Sequence, residues 1–330
     1  MIDHIRTVTA PGTYPYRNLA LEACLLEQAG PGECILYLWQ NRRTVVVGRN
    51  QNCWQECRVE ALQADGGFVV RRLSGGGAVF HDLGNLNFTF LVRQEDYDVG
   101  RQLEVILKAV QSFGIPAEKS GRNDLTAQGR KFSGNAFYRS GGHCYHHGTL
   151  LIQVNREELS KYLNVSAAKL QSKGVASVQS RVANLTEFCP EITPDRMQKA
   201  LIRAFGEVYG LEPSELPPER IPEDRLLEWE KKFSSQEWIF GRPIPFTAEF
   251  SGRFGWGDLV LRLQVESGKV IQAAAFSDAM EEQFISALPA VLEGTEFSSK
   301  AMREVVLRLG MPGTLSEQMA EDIASLLHEI

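Results

Sequence analysis

Apolar residues recur at three- and four-residue intervals between Tyr16 and Gly30. Leu19, Ala23 and Leu26 fall on one side of a helix that Gly30 stops. A second helical period runs over 99–114, carried by Leu103, Ile106, Leu107 and Val110. Between these two segments the pattern changes. Residues 34–40 and 44–52 are short apolar runs parted by the polar turn Asn41-Arg42-Arg43, and they read as strands. A helix over 54–67, a strand over 68–73 and an alternating strand over 85–92 follow. Two more strand regions, 130–139 and 144–155, precede helices over 156–164, 194–210 and 222–233.

From about Phe246 the texture shifts to strands joined by turns at Gly255-Trp256-Gly257 and Ser267-Gly268-Lys269, closed by three short helical patterns. The Pro-containing stretch 240–246 marks a linker. The expected domains are therefore 1–245 and 246–330. Strands and helices mix without a regular βα alternation, which favours an α+β fold over a doubly wound sheet.

Composition narrows the class. At 43% hydrophobic and 23% charged residues, the chain is that of a soluble globular protein. No apolar stretch approaches the roughly 20 residues of a membrane-spanning helix. The first 25 residues show no basic segment followed by an apolar run, so neither a secretory signal nor an anchor is expected. Six dispersed cysteines read as reduced thiols of a cytoplasmic protein. A net charge of −6 argues against a nucleic-acid footprint. Positive charge is instead local, at Arg42, Arg43, Arg49, Arg71, Arg72, Arg122, Arg130 and Lys131, which suits a small anionic ligand.

Three glycines, Gly75, Gly76 and Gly77, follow the 68–73 strand and its Arg71-Arg72 pair. They strip the backbone of side chains, so peptide N–H groups can approach phosphate oxygens. The spacing matches neither a dinucleotide fingerprint nor a Walker loop. A bare tight turn is the alternative. Adjacent strand residues point to opposite faces, so one of Arg71 and Arg72 is expected to enter a site. Asn123 and Asp124 lead into a hairpin with its turn at Gln128-Gly129. The return strand carries Lys131 among the small residues Ser133, Gly134 and Ala136, which leave an ammonium room to reach an anion.

His143, Cys144, His146 and His147 lack metal-ligand spacing, because His146 and His147 face opposite sides of a strand. No structural metal is expected. His147 and Gly148 read as a pocket wall, and Cys144 as structural. Lys173, Ser177, Ser180, Arg181 and Asn184 are polar positions on a segment with no clear element.

Taken in order, the segments 36–52, 71–88, 120–137, 146–151 and 173–185 resemble the lipoate–protein ligase family, in its long form with a C-terminal accessory domain. The resemblance covers roughly Tyr16 to Leu185. It implies a biotin/lipoate ligase-like mixed sheet domain, shared with class II aminoacyl-tRNA synthetases, plus a small α+β C-terminal domain. It also implies a two-step reaction. Lipoate and MgATP give lipoyl-AMP and pyrophosphate, and a lysine of a lipoyl domain then attacks the adenylate. By the same resemblance Lys131 bridges the lipoyl carbonyl and the α-phosphate, and Arg72 holds the carboxylate side, ahead of Arg71.

Gly75, Gly76, Gly77, Ala78, Val79 and Phe80 would present backbone to the nucleotide. Asn123 and Asp124 would sit by the phosphate and its Mg²⁺. Leu73, Gly134, Ala136, His147 and Gly148 would line the acyl channel. The implied partners are lipoyl domains of 2-oxoacid dehydrogenase E2 subunits and the glycine cleavage H protein, without nucleic acid or membrane. The chain departs from the family at Asn135, where a second small residue is common, and in a short 125–131 hairpin. Two alternatives stand beside this reading. One is an ATP-independent octanoyl or lipoyl transferase with Cys144 as nucleophile. The other is a non-catalytic lipoate- or carrier-binding protein.

Overall fold

The computed structural model describes residues 1–121, 124–164, 182–241 and 244–329. Asn123, and with it Lys173, Ser177, Ser180 and Arg181, lie outside them. The described chain divides into two units. One comprises residues 1–46, 54–71 and 79–239, and the other residues 47–53, 72–78 and 240–330. The C-terminal part of the second unit begins at Phe240, and the unit also takes in the glycine loop. That division differs from a cut at residue 245.

In the first unit, strands β1 (His4–Thr9), β2 (Glu33–Trp39), β6 (Asn85–Arg93), β7 (Ala117–Ser120), β8 (Asp124–Ala127), β9 (Arg130–Ser140), β10 (His143–Leu151) and β11 (Ser214–Glu215) form one sheet. Its order is β11-β1-β2-β6-β10-β9-β8-β7. The β1–β2 and β1–β11 pairs are parallel and the remaining pairs antiparallel. A second, three-stranded sheet places β3 (Thr44–Val47) between β4 (Phe68–Arg71) and β5 (Val79–His81).

Helices α4 (Val99–Gln111) and α6 (Pro194–Tyr209) cover one face of the large sheet. Leu103, Ile106, Met197 and Phe205 pack there with Phe88, Phe90 and Phe132. The Asp98 side chain caps α4 by accepting from the Arg101 N–H. Thr193 does the same for α6, which ends at Gly210 with φ +65°. The opposite sheet face meets α1 (Pro15–Gln28).

Two tight turns set the strand register. The β8–β9 hairpin turns at Gln128 and Gly129, with φ +49° and +74°, and β9–β10 turns at Gly141 and Gly142, with φ +57° and +76°. Positive φ at both central residues is the two-residue hairpin geometry whose twist matches the flanking strands. The single helix expected over 54–67 is instead two short ones, Cys53–Glu56 and Val59–Ala64. Cys57 leaves the helical ladder to bridge Leu163, and the Asn164 N–H donates to the Glu56 carbonyl.

The neighbours His146 and His147 part as strand alternation requires. His146 is fully buried on the α4 face between the Phe88, Phe90 and Phe137 rings. Its Nε2 lies 2.8 Å from Asn135 Oδ1 and its Nδ1 3.2 Å from the Gln102 amide. Burial pushes the imidazole pKa down to about 3, so the ring is neutral and has one N–H. Nε2–H donates to Asn135. Nδ1 then accepts from Gln102 Nε2, with that amide turned to give its otherwise unpartnered nitrogen a role.

Asn135 thus faces the core rather than an acyl channel. A pH prediction follows from this buried histidine. Between pH 6.5 and about 3 the unfolded chain binds the His146 proton and the folded chain does not. Stability contributed by the neutral ring is complete above pH 6.5 and declines as pH falls through that window. Denaturant unfolding at a series of pH values should show this component, and His146→Phe should flatten it.

The second unit contains a three-stranded antiparallel sheet, β12 (Ala248–Phe254), β13 (Gly257–Glu266) and β14 (Lys269–Ser277). Helices α9 (Glu282–Leu292), α10 (Ser299–Leu307) and α11 (Leu315–Leu326) share its core through Leu288, Met302 and Ile323.

Candidate active site

The α1-facing side of the large sheet gathers buried polar and charged side chains. His147 Nδ1 lies 2.9 Å from Glu22 Oε1, which also accepts from Thr89 Oγ at 2.7 Å. Trp39 Nε1 donates to the same Thr89 oxygen at 3.1 Å. All four residues are buried. Glu22, Thr89 and Trp39 were not singled out from the sequence, although one signal was present. Glu22 lies three residues after Leu19 and four before Leu26, on the apolar stripe of α1. A carboxylate there is buried and needs a partner.

Ala136 pairs directly with His147 and so shares its face. Gly134, two residues earlier, presents the same face. A Cβ built at Gly134 would meet Lys131 Nζ at 2.8 Å, so the lysine ammonium stands over that glycine. Lys131 Nζ is held 2.7 Å from Asp124 Oδ1 across the β8–β9 hairpin, with both groups partly buried. The absence of a side chain at Gly134 is therefore what admits the ammonium. Gly148 serves a different end. A Cβ there would strike Phe88 Cζ at 2.6 Å and Asn135 Oδ1 at 2.7 Å, on the core face. Lys131, Asp124, Gly134, Ala136 and His147 thus belong to one sheet region, and Gly148 packs behind it.

Arg71 and Arg72 are both buried, and both grip main-chain carbonyls. Arg71 Nη2 donates to Ile239 O at 2.6 Å, and Trp238 Nε1 returns a bond to Arg71 O at 2.8 Å. Arg72, in the second unit, folds over its own loop. Its Nη2 donates to Gly75 O at 2.7 Å and Gly77 O at 2.8 Å, and its Nε to Ser74 Oγ at 3.1 Å. The guanidinium thereby fixes the shape of the glycine loop.

The loop also rests on the segment after β14. Gly76 N–H, at φ +87°, donates to Ala279 O at 3.0 Å. A Cβ at Gly75 would meet Ala279 O at 2.4 Å. These glycines permit a close backbone approach within the second unit, a use that the sequence spacing did not reveal. Ala78 follows in the loop, and Leu73 is buried at its start. Val79 and Phe80 lie in β5, with the Phe80 ring packed on Tyr162.

Cys144 sits on the opposite face from His147, fully buried in the α4-side core. Burial raises its thiol pKa. A protonated thiol packed in an apolar core is a poor nucleophile.

Comparison with known proteins assigns a class to this arrangement. The lipoyl protein ligase A/B catalytic domain matches residues 14–206, and the bacterial lipoate protein ligase C-terminus matches residues 244–327. The chain is 38% identical to lipoate-protein ligase A of Psychrobacter cryohalolentis over 301 residues, 89% of each chain. A crystal structure of LipL1 from P. falciparum in complex with lipoate superposes with a TM-score of 0.86 at 27% identity, covering 99% of this chain and all of that one. A lipoate-protein ligase A bound with ATP matches 73% of this chain and 99% of its own length, with a TM-score of 0.62 at 26% identity.

The protein therefore has a lipoyl ligase catalytic domain in a biotin/lipoate ligase-like α+β fold. The chain belongs to the lipoate–protein ligase family, in the form that carries the C-terminal domain. Its activity is ATP-dependent. It is that of a lipoate–protein ligase. Among the described residues no helix is long and apolar enough to cross a membrane.

Proposed function

We propose that Lys131 is the central catalytic residue of this reaction, and that the sheet face over Gly134 is where the acyl group lies. The observation that carries the reading is an ammonium standing above a bare glycine, on the face that also presents His147. In the first step a lipoate carboxylate oxygen attacks the α-phosphorus of ATP. The bond to the β-phosphate side breaks, and pyrophosphate leaves with the electron pair. Two anions must approach each other, and a fixed cation between them lowers that barrier. In the second step the acceptor lysine nitrogen attacks the acyl carbon. The C–O bond to AMP breaks, and the amine proton is lost to a base.

Asp124 orients the Lys131 ammonium throughout, and His147 with Ala136 walls the acyl chain. The glycine loop offers backbone to a phosphate, and Arg72 keeps its shape. Mg²⁺ enters with ATP. A cation that keeps most of its ligands as water and phosphate needs one or two protein carboxylates, and Asp124 fits that need. The acceptors are lipoyl domains of E2 subunits and the glycine cleavage H protein, modified in the cytoplasm. Six cysteines dispersed along a long chain, with no CxxC pair, suit a reducing compartment. Residues 1–245 carry the catalytic domain and 246–330 an accessory domain.

The test is pyrophosphate release and lipoyl-AMP by mass spectrometry with lipoate and ATP, followed by transfer to an isolated lipoyl domain. Cys144→Ala should retain at least about half of both activities, because a buried, protonated thiol has no part in them. Loss of transfer with adenylation intact would instead favour a thioester route.

A further inference from the structure

The acyl-facing side of β6 carries an unsatisfied pair of amides. Asn85 and Asn87 sit two residues apart on the strand, and both are essentially inaccessible to solvent. Asn85 Nδ2 donates to Asn87 Oδ1 at 2.8 Å. Among the described residues, Asn85 Oδ1 and Asn87 Nδ2 have no partner. Turning both amides over moves the defect without removing it. Turned over, the pair would leave the Asn85 NH2 and the Asn87 oxygen without partners; in the setting described, the unpartnered groups are the Asn87 NH2 and the Asn85 oxygen, and turning only one amide sets like against like. Buried amides are nearly always paired, so an orphan donor in a site marks a place for a ligand atom.

The register places Asn87 on the face in question. Thr89, two residues on, bonds Glu22 of α1, and Asn87 pairs with Trp39 on one side and Thr149 on the other. Thr149 Oγ accepts from the Gly134 N–H at 3.3 Å, and Gly134 lies beneath the Lys131 ammonium. From β9 to β6 is two strand spacings, about 10 Å. An extended eight-carbon acyl chain spans about 9 Å. With its carboxyl end at Lys131, such a chain crosses β10 and brings its far end to Asn87.

We propose that Asn87, supported by Asn85, is a specificity-determining residue. Its amide N–H donates to a dithiolane sulfur at the end of the lipoyl chain. This rests on the acyl-site reading above. Sulfur is a weak acceptor, but it is a better partner than a methyl group. A straight-chain fatty acid of equal length ends in carbon and leaves the buried donor unpaired, which is the circumstance in which a site rejects an analogue.

The experiment measures kcat/KM for adenylation of lipoate and of octanoate in the wild type and in Asn87→Leu, Asn87→Ala and Asn87→Ser. Leucine and alanine remove the donor, and serine keeps a short one. The lipoate-to-octanoate ratio should fall about tenfold in the leucine and alanine variants and less in serine. If Asn87→Leu fails to fold, the alanine–serine comparison alone decides the matter. An unchanged ratio overturns the proposal, as does an equal loss with both acids, and either outcome would leave the orphan amide to a buried water. Failure of the underlying reading is distinguishable, because adenylation would then survive Lys131→Ala.

Discussion

Lys131→Ala should lower lipoyl-AMP formation by at least about a thousandfold while leaving the chain folded. Removing a single fixed donor at a developing charge costs about a hundred- to a thousandfold in comparable acyl-transfer sites, and Lys131 supplies a full charge. The side chain ends at a glycine and a carboxylate rather than in the packed core, so its truncation leaves no core cavity. It does leave Asp124 without this ion pair, which should shift the melting temperature by only a few degrees. Pyrophosphate release and mass spectrometry of the adenylate read the loss, and circular dichroism reads the fold. Arginine should not restore activity. A planar guanidinium does not fit the clearance that Gly134 provides for a tetrahedral ammonium. Adenylation within tenfold of the wild type would remove Lys131 from its assigned place.

Gly75→Ala is expected to be the second most damaging change. The new methyl group would stand 2.4 Å from Ala279 O and 2.9 Å from Met280 O. Both are main-chain atoms, so no side chain can swing aside to make room. The loop must shift, and with it the Gly75 and Gly77 carbonyls that Arg72 holds. Overpacking of this kind costs about 1–3 kcal/mol. Adenylation should fall about a hundredfold, because a loop offering backbone to phosphate depends on the positions of its amides. Gly66→Ala is the control for stability alone. Its φ of +72° imposes backbone strain, but no atom lies within 4 Å of the added carbon. It should lower the melting temperature without a comparable loss of activity.

Much of this was legible in the residues. The α1 and α4 periods, the hairpin turn at Gln128-Gly129 and the placement of Lys131 among small residues all rest on local rules that tertiary packing did not override. The opposite faces of His146 and His147 follow from strand alternation alone. Other features were hidden because they depend on distant segments. The glycine loop looks like an anion cradle in sequence, yet its glycines also admit the 279–280 backbone, some 200 residues later. The two arginines beside it look like ligand cations, yet each is engaged with carbonyl oxygens. Glu22 was concealed inside an apolar stripe, and Asn87 in an alternating strand whose polar face would ordinarily meet water.

The Gly141-Gly142 turn has a consequence for which changes this protein can accept. Side-chain direction along β10 alternates, so that turn decides which histidine faces Glu22. Substitutions along the strand alter one contact each. Inserting or deleting a single residue at the turn would exchange the two faces wholesale. His146, with its aromatic cage, would be carried to the α1 side, and His147 into the phenylalanine core. Variation at this hairpin should therefore be tolerated in steps of two residues and rejected in steps of one. A short insertion library across 140–143, scored for lipoylation, would display that parity directly.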